Sequence, residues 1–193
     1  MTKSILIVGV SGQGTLLASR LLGRALLAKG FDVKISEVHG MSQRGGSVVT
    51  YVRYGENVAS PIVEKGEADI ILSFEELEAA RWLPFLKKGG KIVVNTQKMD
   101  PMPVIIGKAE YPEDLLGKLE AAGVDVQPVD ALALAMEAGT PKAVNVALIG
   151  VVAQSTDIEQ SVWEDTIRST VPEKFVDLNL KAFQLGYTYG NAE

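Results

Sequence analysis

Three short stretches of the chain hold residue types whose spacing could do chemistry. The first is Gly9-Val-Ser11-Gly12-Gln13-Gly14, a glycine-rich turn between an apolar run and a helical pattern. Glycines at such a turn let backbone N–H groups approach an anion at the start of a helix. The dinucleotide fingerprint G-x-G-x-x-G is met only in part, because reading from Gly12 puts Leu17 where the third glycine belongs. Glu37 could in principle accept a bond from a ribose hydroxyl. The alternative is that these glycines serve only a tight turn and close helix packing. The second stretch, His39-Gly-Met-Ser42-Gln43-Arg44-Gly45-Gly46, concentrates the single histidine, an amide, an arginine and paired glycines in one loop. Arg44 could grip a carboxylate or phosphate with two parallel bonds, or be a solvated charge on a surface turn. His39 alone cannot build a metal site, and a satisfied structural histidine is the simpler reading. The third stretch, Gly139-Thr-Pro-Lys142-Ala-Val-Asn145, enters an apolar helix. There Asn145 could cap or tie a neighbouring loop, and Lys142 is a solvated charge or faces a phosphate.

Composition narrows what these stretches can be. The chain has 193 residues, 47% of them hydrophobic, with 24 acidic and 19 basic side chains and a net charge of −5. That charge gives no footprint for nucleic acid. There is no cysteine, so the chain offers no thiolate for zinc, no ligand set for an iron–sulfur cluster and no Cys nucleophile. One histidine supports no Ser–His–Asp constellation by itself. Glu75, Glu76 and Glu78 read as an acidic helix start that suits the helix dipole rather than as an acid/base pair. The apolar run Ile5–Val10 is too short for a signal segment, and Val146–Ala153 is well short of a membrane span. A cytoplasmic protein with no membrane partner is expected.

The elements that must position these residues follow from periodicity. Ser4–Val10 is a continuous β-branched run, as in a strand buried on both faces. Leu16, Leu17, Leu21, Leu22 and Leu26 recur at helical spacing up to Gly30, and 31–38 reads as a second strand. This βαβ pattern implies a parallel pair. Further strands are expected over 47–54, 69–74, 91–95 and 125–129, with a short one at 104–106. Helices are expected over 75–86 (stopped by Lys87-Lys-Gly-Gly90), 112–122, 130–137, 143–154, 158–169 and 172–187. The fold class is therefore α/β: a Rossmann-like three-layer mixed, mostly parallel sheet with helices on both faces and a helical C-terminal tail.

The opening Ile5-Leu-Ile-Val-Gly-Val-Ser-Gly-Gln-Gly-Thr-Leu-Leu-Ala18 and the loop Glu37-Val-His-Gly-Met-Ser-Gln-Arg-Gly-Gly-Ser47 resemble the gamma subunit, or gamma domain, of 2-oxoacid:acceptor (ferredoxin) oxidoreductases. The form of the loop is most similar to the beta subunit of indolepyruvate:ferredoxin oxidoreductase. Asp69-Ile-Ile-Leu, Ile92-Val-Val-Asn95 and Asn145-Val-Ala-Leu-Ile-Gly150 fall in the family's order, so the resemblance spans roughly residues 4 to 155. It implies a gamma-type domain over 1–155 and a helical C-terminal extension over 156–193 packed on it.

The resemblance also implies a subunit that is inactive alone. Such complexes decarboxylate a 2-oxoacid on thiamine pyrophosphate, pass electrons through iron–sulfur clusters to ferredoxin and transfer the acyl group to coenzyme A. In the indolepyruvate type the substrates are aryl pyruvates. No cofactor is expected on this chain alone; thiamine pyrophosphate, Mg and the clusters are expected on a large partner subunit, with coenzyme A as co-substrate. By carry-over, Gly12, Gln13 and Gly14 match the family's glycine turn, and Arg44, Gly45 and Gly46 its Arg-Gly-Gly loop. The candidate set facing substrate, coenzyme A or partner is Gly9, Ser11, Gly12, Gln13, Gly14, His39, Ser42, Gln43, Arg44, Gly45, Gly46 and Asn145, with no catalytic residue and no metal ligand among them. An isolated chain could self-associate through surface meant for its partner. Two other readings compete: a stand-alone NAD(P)-binding Rossmann protein and a non-catalytic scaffold. Titration of the isolated chain with NADH and NADPH separates the first competitor. Saturable micromolar binding would favour it, whereas the subunit reading expects none.

Overall fold

An apolar run with no polar interruption needs cover on both sides, and the first strand finds it near the middle of a six-stranded sheet. The computed structural model describes residues 1–40 and 45–190. In β1 (Lys3–Val10), Ile5 and Ile7 enter one apolar cluster and Leu6 and Val8 enter a second on the opposite face; all four are fully buried. The remaining strands are β2 (Asp32–His39), β3 (Ser47–Gly55), β4 (Ala68–Ser73), β5 (Leu86–Asn95) and β6 (Asp125–Val129). Their order is β2-β3-β1-β4-β5-β6. β1, β4, β5 and β6 are parallel neighbours, and β3 runs antiparallel to both β1 and β2. This is the mixed, mostly parallel sheet expected.

The helices are α1 (Thr15–Ala28), α2 (Glu76–Trp82), α3 (Met102–Ile105), α4 (Leu115–Ala121), α5 (Ala131–Ala138), α6 (Val144–Ala153), α7 (Gln160–Thr170) and α8 (Val176–Gly190). α1, α5, α6, α7 and α8 bury their apolar residues on one face of the sheet, whereas α2 and α4 cover the other. α7 and α8 contribute Trp163, Ile167, Ala182 and Phe183 to the same cluster as β1.

Several local expectations are corrected. β2 is parallel to β1 but is not its neighbour, because β3 inserts between them. The helix expected over 75–86 ends at Trp82 and tightens into a 3-10 turn, Leu83–Phe85, with Pro84 in its first turn. Lys87–Gly90 is therefore no helix stop. It belongs to β5, which carries an irregularity in its pairing with β4, and Gly89 there has φ +78°. Residues 104–106 form no strand. Pro103 falls in the first turn of α3, where a missing N–H does no harm, and Gly107 follows at φ +70°. The helix expected over 112–122 starts later, at Leu115, after Asp114 accepts the Gly117 N–H.

α6 is apolar on every side, and its residues Asn145–Ala153 are buried. It lies so close to α8 that a β-carbon on Gly186 would fall 2.0 Å from the Ala147 carbonyl oxygen, and one on Gly150 would fall 2.3 Å from that of Phe183. Both clashes are with backbone, so neither can be relieved by turning a side chain. Gly186→Ala is expected to destabilise the fold by about 2–3 kcal/mol, read as a lower urea midpoint at unchanged slope.

Candidate functional site

At the C-terminal end of β1 the chain reverses through a turn held by a side chain rather than by backbone alone. The Val10 N–H donates to Gln13 Oε1 at 2.7 Å, and the Gln13 N–H donates to the Val10 carbonyl at 3.1 Å. A β-carbon on Gly9 would lie 2.9 Å from Gln13 Oε1 and 3.0 Å from the Phe74 β-carbon, so Gly9 makes room for the glutamine. Gly12 and Gly14 have φ of +101° and +88°, where a side chain would be strained. Gly14 starts α1 without any side-chain cap, and a β-carbon there would meet Asn145 Nδ2 at 2.8 Å.

The same glutamine reaches across the sheet. Gln13 Nε2 donates to the Phe74 carbonyl at 3.1 Å and to Gln97 Oε1 at 3.2 Å. Asn95, buried at the end of β5, donates through Nδ2 to that same Phe74 carbonyl at 3.2 Å and to Gln97 Oε1 at 3.4 Å. Its Oδ1 accepts the Ala131 N–H at the start of α5 at 3.2 Å. Two carboxamides thus tie together the ends of β1, β4 and β5 and the first residue of α5.

Above this network lies a cleft of about 680 Å³. Ser11, Gly12, Gln13 and Gly45 form one wall; Phe74, Asn95, Thr96, Gln97 and Met99 form the floor and a second wall; Asp130, Leu132, Pro141 and Val144 complete it. The Ser11 N–H donates to the Gly46 carbonyl at 2.8 Å, which joins the glycine turn to the end of the Arg-Gly-Gly loop. Three helices begin around the cleft. α5 is capped by Asp130, whose Oδ1 accepts the Ala133 N–H at 2.9 Å. α6 follows a 3-10 turn whose first N–H groups include one bonded to Thr140. α1 alone among the three starts at a glycine with no side-chain cap, so its first-turn N–H groups, just behind the glycine turn, attract an anion.

The acidic residues at the start of α2 act structurally. Glu75 is fully buried and accepts from the Glu78 N–H at 2.9 Å, the Met99 N–H at 3.1 Å and the Tyr111 hydroxyl. Burial, and then the bond to the Glu75 carboxylate, push the Tyr111 phenol well above its ordinary pKa. Glu76 is held above the usual carboxylate range by burial, partly offset by the Lys98 ammonium 3.6 Å away. Glu78 accepts from the Ser47 hydroxyl and from Arg81 Nε at 3.1 Å. These bonds pin the 96–101 loop and the start of β3 to α2, and among the described residues no acid/base pair faces the cleft.

Of the sequence-derived candidates, Ser11, Gly12, Gln13 and Gly45 line the cleft, while Gly9, Gly14 and Gly46 shape it from behind. Ser42, Gln43 and Arg44 lie outside the described residues. His39 sits exposed on edge strand β2, with Nδ1 3.1 Å from the Gly40 carbonyl, and is not a cleft residue. Asn145 is a packing residue: its Oδ1 accepts the Val146 N–H at 2.9 Å and its Nδ2 lies 3.5 Å from the Gly14 carbonyl. Glu37 accepts a long bond from the Thr50 hydroxyl and is separated from the glycine turn by β3, about 10 Å at ordinary strand spacing. A dinucleotide fold needs that acid beside the turn. Among the described residues no three His, Asp or Glu side chains converge to hold a metal ion. Sequence reasoning missed Phe74, Gln97, Met99, Asp130 and Leu132 as site residues; each follows the C-terminal end of a parallel strand, which is the signal that could have found them.

Residues 4–189 match the family described as pyruvate ferredoxin/flavodoxin oxidoreductase. The indolepyruvate oxidoreductase subunit IorB of Thermococcus kodakarensis is 46% identical over 188 residues, covering 95% of this chain and 93% of the relative. Among solved structures, the gamma subunit of a keto/oxoacid ferredoxin oxidoreductase from Geobacter sulfurreducens is alike over 99% of both chains, with a TM-score of 0.74 at 23% identity. A 2-oxoglutarate:ferredoxin oxidoreductase from Magnetococcus marinus, solved with 2-oxoglutarate, coenzyme A and succinyl-CoA, is alike over 100% of this chain but 31% of its own, with a TM-score of 0.76 at 18% identity. The chain belongs to the pyruvate ferredoxin/flavodoxin oxidoreductase family and is a subunit of a 2-oxoacid:ferredoxin oxidoreductase.

Two outcomes test the site's framework. Asn95→Ala strips bonds from the Phe74 carbonyl and the Ala131 N–H and should destabilise the chain by about 1–3 kcal/mol, measured by chemical denaturation. Glu76 holds its proton more tightly folded than unfolded, so its contribution is most favourable at low pH and is lost as pH rises through its raised pKa. Glu76→Gln should therefore raise Tm at pH 7 by about 2 °C, and the advantage should shrink as pH falls toward the ordinary glutamate range.

Proposed function

We propose that this chain is the small, cofactor-free subunit of an aryl-pyruvate:ferredoxin oxidoreductase, with indolepyruvate as the leading substrate, and that its cleft receives coenzyme A. The 46% identity to an indolepyruvate oxidoreductase subunit over nearly the whole chain supports the substrate class. The overall reaction joins a 2-oxoacid and coenzyme A to give an acyl-CoA and CO2, while two electrons reduce ferredoxin. With no cysteine in the chain, the clusters fall to a partner, and the thiamine pyrophosphate with its Mg is assigned to the same large subunit. That group supplies the electron sink for decarboxylation. On this reading the isolated chain is inactive and cytoplasmic.

The observation that carries the cleft assignment is its placement: strand ends on the floor, the glycine turn that leads into the uncapped start of α1 in the wall, and the Arg-Gly-Gly loop tied to that wall through Ser11 and Gly46. First-turn N–H groups attract the pyrophosphate of a nucleotide thioester carrier. Arg44 adds a cation on the adjoining segment. Leu132 and Met99 offer apolar surface to an extended pantetheine arm. Gln13 has its carboxamide engaged on both sides, so it holds the turn in shape while backbone groups meet the ligand. The stand-alone nicotinamide reading loses its footing with the displacement of Glu37.

In the complex reconstituted with its large subunit, Leu132→Glu adds a negative charge to the cleft at a half-exposed position. It should raise the KM for coenzyme A about tenfold while leaving the KM for the 2-oxoacid unchanged. Arg44→Ala should move the same constant in the same direction. Unchanged values for both variants would contradict the assignment.

A further inference from the structure

Exposed apolar side chains also gather on α1 and β2. Leu16, Arg20, Gly23 and Leu27 recur along α1 in steps of four, three and four residues, and so fall on one stripe. Leu16 and Leu27 are 49% and 58% exposed, large fractions for leucines on a helix otherwise packed on the core. Beside the stripe runs β2, which pairs only with β3 and leaves its outer edge unpaired. Ile35 of β2 folds over Gly23, with its Cδ1 2.6 Å from where a β-carbon would stand, yet stays 43% exposed. Helix and strand edge thus bound a groove of about 320 Å³, walled by Arg20, Gly23, Arg24, Leu27, Val33 and Ile35. A glycine inside a helix costs roughly 1 kcal/mol relative to alanine; here it sets the depth of the groove.

Charge says what fits. The chain carries a net charge of −5, but α1 holds two arginines and no acid. Among the described residues no acid lines the groove; of the acids on adjoining segments, Asp32 bonds Lys34 and the Val58 N–H, Glu37 accepts from Thr50, Glu159 pairs with Lys29, and Asp165 lies beyond Arg24 in a separate hollow with Ser169. Arg24 donates to the Ser169 carbonyl and the Thr170 hydroxyl, and Arg20 forms no ion pair among the described residues. A second copy seated here through the same face would set arginine against arginine. We propose that the α1–β2 groove docks an acidic, aliphatic segment of the large subunit, with Arg20 pairing a carboxylate and Leu27 and Ile35 receiving apolar side chains. The proposal rests on the reading of this chain as a subunit and adds where, and by what chemistry, the partner is held.

The test is equilibrium binding of the full-length chain to its co-expressed large subunit. Arg20→Glu and Leu27→Asp, each at an exposed position, should weaken association at least about tenfold while circular dichroism and Tm stay those of the parent. Arg20→Lys should restore near-parental affinity, and added salt should weaken the parent complex. Parental affinity in both disruptive variants would overturn the docking site while leaving the subunit reading intact. Failure of the unaltered chain to bind any large subunit would overturn the subunit reading first, and the docking site with it. A homodimer broken by Leu27→Asp, with the hetero-complex unaffected, would assign the groove to a second copy and overturn the proposal.

Discussion

Two side-chain carboxamides converge on one backbone carbonyl, that of Phe74, and the shape of the cleft depends on it. Gln13 comes from the glycine turn and Asn95 from the end of β5; Gln97 joins them, and Asn95 also holds the first N–H of α5. Where such bonds are buried, as those of Asn95 to the Phe74 carbonyl and the Ala131 N–H are, they are strong when all are made and expensive when one is lost. They explain why Gly9 must lack a side chain. They also divide the labour: carboxamides that are used up internally hold the walls, and backbone groups of the glycine turn are left to the open side. On the proposed function this is a site for binding and orienting, which suits a subunit whose cofactors lie on its partners.

The insertion of antiparallel β3 between β1 and β2 has three consequences. Its first residue, Ser47, pairs with Val10 at the cleft end of β1, so Gly46 can accept from Ser11. It moves Glu37 a strand away from the glycine turn and so removes the acid that a nicotinamide nucleotide would need. It leaves β2 on the edge, with Ile35 half exposed beside α1 and Val38 half exposed on the opposite face. One topological change thereby departs from the dinucleotide-binding pattern and gives the chain an open flank.

Much of this was legible in the residues. The unbroken run Ile5–Val10 announced a strand covered on both faces, and Ile5 and Leu6 duly face opposite clusters. Gly45 from the second motif lines the same wall as the glycine turn because both follow the same end of the sheet. What periodicity could not show was the position of β3, since strand order is set by tertiary pairing and leaves no local trace. Lys87–Gly90 read as a helix stop because basic residues followed by glycines commonly are one; the irregular pairing at Ala68 and Ile70 uses the same residues to start a strand. Asn95 and Gln97 look like ordinary polar residues at a strand end, and only the crossing of four chain segments shows that they bond one another.

The central claim is that the cleft at the strand ends of this subunit holds the acyl acceptor. Photo-crosslinking of the assembled complex with a coenzyme A analogue, followed by peptide mass spectrometry, tests it most directly. The account predicts label on the segments around Ser11–Gly14, Thr96–Met99 and Asp130–Leu132, competed away by coenzyme A. Competable label confined to the large subunit, with none on this chain, would contradict it.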